Sequence, residues 1–158
     1  MKERQDEKSR RTLWICLALT LLWILFIFTH SLQNSETSSQ RSAFLWEVLL
    51  KIIPSLSHSF LRKLGHLAEF TVLGCLLGSL FRLESLPAGL MRLSEGLRRY
   101  VLPAYCGLVV AFCDEIIQTF VPGRSGEFRD VAIDFSGILI GIIMVAVFKR
   151  IRGRRFHG

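Results

Sequence analysis

Four stretches of this chain, at about 12–29, 61–81, 100–121 and 129–148, are apolar over close to a bilayer-spanning length. A spanning helix takes roughly 20 mostly apolar residues. Together they occupy so much of the 158 residues that no separate water-soluble core is left. A composition 51% hydrophobic, with mean hydropathy +0.41, agrees with that. The spacing therefore predicts one all-α membrane domain, an integral four-helix bundle over 12–148, flanked by basic tails at 1–11 and 149–158.

The net charge of +7 points to nucleic acid or to an anionic membrane. Its placement decides for the membrane and against a nucleic-acid partner. Most Lys and Arg fall in the N-tail (Lys2, Arg4, Lys8, Arg10, Arg11), the middle loop (Arg82, Arg92, Arg98, Arg99) and the C-tail (Lys149, Arg150, Arg152, Arg154, Arg155). Positive charge collects on the cytoplasmic side of spans, so both termini and the middle loop are expected in the cytoplasm. An even number of spans requires the same. Span one has a basic start, but Thr29-His30-Ser31-Leu32-Gln33 is a weak cleavage site, so it reads as a retained anchor. After it, Ser42 to Ile53 carries apolar residues at helical spacing and ends at Pro54. This is the pattern of a short amphipathic helix in the first external loop, on the membrane surface or capping the bundle. Cys16, Cys75, Cys106 and Cys113 each fall within a span and form no CxxC pair, so they read as packing residues. Pro122-Gly123 marks a tight turn that makes spans three and four antiparallel neighbours.

Ten polar residues lie in or beside these spans: Arg62, Lys63, His66, Glu69, Asp114, Glu115, Gln118, Arg124, Asp130 and Asp134. Charged groups at membrane depth are expensive and by default mark function. With the expected topology and a rise of about 1.5 Å per residue, all ten fall in or at the edge of the outer third of the bilayer. Arg62, His66 and Glu69 follow i, i+4, i+7 spacing, and Asp114 with Gln118 and Asp130 with Asp134 are four apart. Gly74 with Gly78, and Gly137 with Gly141, repeat at the spacing that lets membrane helices approach closely. A purely structural ion-pair network would use fewer groups, since each polar contact between membrane helices contributes only about 0.6–2 kcal/mol.

The blocks Lys63-Leu-Gly-His66-Leu-Ala-Glu69-Phe70, Asp114-Glu115-Ile-Ile-Gln118-Thr-Phe-Val-Pro122-Gly123-Arg124 and Asp130-Val-Ala-Ile-Asp134-Phe-Ser-Gly137, in this order, resemble the signature of the VanZ-like family. The resemblance implies a small bacterial integral membrane protein of the cytoplasmic membrane, whose namesake is linked to teicoplanin resistance; it carries no catalytic assignment. Phe70 stands at a place that is often Tyr in the family, and Asp134 at one that is often Asn.

Three functions fit such a pocket. In a non-catalytic binding protein, Arg62, Lys63 and Arg124 would hold the anionic headgroup of a membrane lipid or of a lipid-linked or glycopeptide-related ligand. In an acid–base or metal-assisted enzyme, His66 would work with Glu69, Asp114 or Glu115, and Asp114, Glu115, Asp130 and Asp134 would offer oxygens to Mg²⁺ or Ca²⁺. An ion- or proton-coupled transport component is the third. His30, His58 and His157 lie outside the cluster and carry no expected role.

Overall fold

The computed structural model describes residues 2–32, 58–122 and 128–155, and the regular structure among them is all helical. In chain order the elements are α1 (Lys2–Ser31), α2 (His58–Leu80), a single-turn α3 (Ala88–Met91), a π-helical turn (Leu97–Val101) leading into α4 (Leu102–Thr119), and α5 (Phe128–Arg155). The segments Arg4–Ser31, Leu97–Thr119 and Arg129–Gly153 are long and apolar enough to cross a membrane. The helix α2 has the length of a span but carries Arg62, Lys63, His66 and Glu69 in its first half, and is not among those three. The expected external helix at 42–53, and Arg124 in the last turn, lie outside the described residues.

The helices run into the tails. Expected only as basic tails at 1–11 and 149–158, these segments carry helix: α1 is already helical at Lys2 and α5 continues to Arg155. In the N-tail, Asp6 with Arg10 and Glu7 with Arg11 are opposite charges four residues apart, a spacing that supports helix. Before α4, Pro103 lacks the N–H that would return to a carbonyl of the preceding turn, and the turn ahead of it is the π-helical one.

Burial is inverted relative to a water-soluble domain. Leu22 and Phe148 are 61% and 62% exposed, whereas Asp114 and Asp134 are 0% exposed. Large apolar side chains line the outside of α1, α4 and α5, the arrangement lipid tails favour and water does not. Hydroxyls on α1, α2 and α5 avoid needing a partner elsewhere: Thr20, Thr71 and Ser136 each donate to the carbonyl four residues back.

The most intimate pairing is α2 against α5. A Cβ added at Gly74 would collide with the Ile138 carbonyl, and one added at Gly141 with the Thr71 carbonyl; at Gly137 it would lie 2.6 Å from the Leu67 oxygen. The glycine pairs seen in the sequence are thus where the two backbones touch. Phe70, Leu73, Leu77, Ile138 and Ile142 pack around this seam, with Ala111 of α4 and Ile27 of α1 closing it from the other sides.

Candidate functional site

Holding α2 and α5 at backbone contact brings their polar residues face to face. His66 of α2 points into the bundle, with Nδ1 3.4 Å from Asp134 Oδ1 of α5 and 3.9 Å from Asp114 Oδ2 of α4. All three side chains are at least nine-tenths buried. Gln118, one turn beyond Asp114 on α4, donates to Asp114 Oδ2 at 2.9 Å. Ser31, buried at the end of α1, also lies within hydrogen-bonding reach of the Asp114 carboxylate. The His66 ring is stacked near Phe70 at 6.5 Å between centroids, an apolar side chain where a Tyr would have supplied a hydroxyl.

The site therefore divides into a centre and a rim. The centre is His66, Asp114 and Asp134, whose potential ligand atoms all lie within 4.8 Å of one another. The rim lies one helical turn nearer the start of α2 and α5, where Lys63 Nζ is 3.4 Å and Arg62 Nη2 3.9 Å from the Asp130 carboxylate. The side chains of Arg62 and Lys63 keep 40% and 31% of their surface exposed. Glu115 is buried on α4 but is not in the central group. The sequence spacing put Glu69 on the stripe of Arg62 and His66; in the structure Glu69 turns instead toward α1, where His30 Nδ1 meets its Oε1 at 2.9 Å. Trp23 Nε1 of α1 donates to the Glu69 carbonyl at 3.0 Å.

So α1, expected only as a retained anchor, helps build the site through Trp23, His30 and Ser31. The signal was present in the sequence: Trp23, Ile27 and His30 follow i, i+4, i+7, the same stripe rule used for α2.

The other end of the bundle is basic. Arg82, Arg99, Tyr100, Lys149 and Arg150 line a cavity of about 340 Å³ at the C-terminal ends of α2 and α5. Arg98, 6% exposed, donates to the Phe81 carbonyl at 3.0 Å and ties the π-helical turn to the end of α2.

An all-helical, lipid-compatible exterior around a sealed imidazole–carboxylate centre defines a membrane protein with an internal polar site. The chain belongs to the VanZ/LLP1 family, whose profile matches residues 15–149, from within α1 to within α5. No curated protein and no solved structure matches it.

Proposed function

We propose that the chain is a four-span protein of the bacterial cytoplasmic membrane, with α2 as the fourth span and both termini cytoplasmic. Its polar site lies in the outer half of the bilayer and binds, or binds and modifies, an envelope lipid or cell-wall-related amphiphile. Through that ligand it bears on sensitivity to glycopeptides such as teicoplanin. The observation carrying this reading is the convergence of His66, Asp114 and Asp134 from three helices at full burial, one turn below the partly exposed cations Arg62 and Lys63. Guanidinium and ammonium groups at the rim suit a phosphate or carboxylate headgroup, while the apolar helix faces beside them suit its tail. A basic cavity at the opposite end favours the orientation that places the rim outside. Because His66 sits between two carboxylates, general acid–base or metal-assisted attack on the headgroup is the favoured second reading.

The test is native mass spectrometry of the full chain released from bacterial membranes, together with teicoplanin susceptibility of cells expressing it. Wild type should retain an anionic amphiphile and alter susceptibility, and the double variant Arg62→Ala/Lys63→Ala should lose both at unchanged protein level. Retention and susceptibility indistinguishable from wild type in that variant would overturn the reading. His66→Gln separates the two forms: retained ligand with lost effect indicates chemistry, and an unchanged effect excludes acid–base work at His66.

A further inference from the structure

We propose that His66, Asp114 and Asp134 bind one divalent transition-metal cation of the zinc type. The inference rests on reading this centre as the working part of the site. Among the described residues, Asp114 Oδ1 and Asp134 Oδ2 are buried with no hydrogen-bond partner, and His66 Nδ1 and Asp134 Oδ1, equally buried, face each other at 3.4 Å. Buried polar atoms are almost always paired, and two orphaned carboxylate oxygens beside one long imidazole–carboxylate contact call for a shared partner. The fixed cations nearest in sequence do not supply it, because Lys63 and Arg62 are directed at Asp130, one turn away. Two carboxylates sealed beside one imidazole need positive charge, and a dication between them balances both while leaving the imidazole neutral to ligate.

The geometry suits an ion of that size. Zinc–oxygen and zinc–nitrogen bonds of about 2.0–2.2 Å put two ligands at a tetrahedral angle roughly 3.3–3.6 Å apart. The His66–Asp134 pair stands within that range at 3.4 Å, and the His66–Asp114 pair, at 3.9 Å, must close by about 0.3 Å around the ion. Gln118 donates to Asp114 Oδ2 and leaves Oδ1 free to ligate, the outer support that metal-ligating carboxylates commonly have. One imidazole nitrogen with two carboxylates favours zinc, iron or manganese over calcium and magnesium, which prefer all-oxygen shells. That replaces the set expected from sequence, in which Asp114, Glu115, Asp130 and Asp134 offered oxygens to Mg²⁺ or Ca²⁺. Three protein ligands leave a coordination position for water or a headgroup oxygen, the arrangement of zinc sites that do chemistry.

The test measures metal content of the full chain, purified in detergent without chelator, by inductively coupled plasma mass spectrometry. Close to one zinc-type ion per chain is expected. His66→Gln and Asp134→Asn should lower the content at least tenfold, while Glu95→Gln, an exposed residue paired with Arg99 at the opposite end of the bundle, leaves it unchanged. As a measurement independent of variant folding, chelator-treated wild type should recover thermal stability on adding Zn²⁺ or Mn²⁺ and gain nothing from Mg²⁺. A metal-free chain whose unfolding temperature no added ion moves would overturn the proposal, as would metal content insensitive to both centre variants. Native mass spectrometry on the same samples separates the two ideas. A metal-free chain still retaining its amphiphile sinks the metal alone; a metal-loaded chain that never retains one sinks the function proposed above.

Discussion

Replacing Gly141 by alanine adds one methyl group at the seam on which the site depends. The new Cβ would lie 2.6 Å from the Cys75 nitrogen and 2.8 Å from the Gly74 carbonyl carbon, besides its clash with the Thr71 oxygen. All of these are backbone atoms of α2, so no side chain can swing aside. Ordinary contacts need about 3.5–4.0 Å, so α2 and α5 must part by roughly 1 Å. Overpacking of this kind costs about 1–3 kcal/mol. Gly141 is seven residues from Asp134, about 10 Å along α5, and opening the seam there also lengthens the 3.4 Å approach of Asp134 to His66. The control is Gly65→Ala, also within α2, where a Cβ meets nothing within 4 Å. Helix propensity alone would have both substitutions stabilise by up to about 1 kcal/mol. Unfolding in mixed micelles, followed by circular dichroism, should therefore show Gly141→Ala with a clearly lower midpoint and Gly65→Ala at or above wild type. Equal midpoints would refute the backbone contact between α2 and α5, and with it the convergence of the site.

Three further outcomes follow from other contacts. Trp23→Phe keeps the ring and removes the bond from Nε1 to the Glu69 carbonyl, and should lower stability in the same unfolding assay by about 0.5–1.5 kcal/mol. Arg98→Ala removes a buried charged donor from the Phe81 carbonyl, and a loss of about 1.5–3 kcal/mol is expected by the same measurement. For topology, a periplasm-active reporter fused after Arg124 should be active and one fused after Arg92 silent; the reverse pattern would move the polar site to the cytoplasmic side.

The pairing of α2 with α5 was legible because Gly74, Gly78, Gly137 and Gly141 report a steric requirement that belongs to the helices themselves. The convergence of His66, Asp114 and Asp134 was legible in depth, since rise per residue and topology put them at one level. Which neighbour each residue faces was not. Three residues on a helix advance by about 300°, not a full turn. The 60° between His66 and Glu69 is enough to send one into the centre and the other to His30 of α1. Likewise Asp130, four residues before Asp134, is drawn to Lys63 and Arg62 at the rim, apart from His66, Asp114 and Asp134. Long flexible cations reach whichever carboxylate is nearest their end of the helix, and spacing alone does not rank those distances. The role of α1 was hidden by its strongly apolar composition, which masks the buried positions Thr20, Ile27 and Ser31. Arg98 looked like one more positive charge in a basic loop; only the π-helical turn aims it at the end of α2.

The central claim is that residues from three helices form one coupled site. A double-mutant cycle on His66→Gln and Asp134→Asn, read as unfolding free energy of the two single variants and the pair in detergent, tests it most directly. Side chains 3.4 Å apart in a sealed site should be non-additive by at least about 0.5–1 kcal/mol, and residues beyond about 7–10 Å should add within about 0.5 kcal/mol. Coupling of the expected size supports the site. Strict additivity would mean that His66 and Asp134 do not meet.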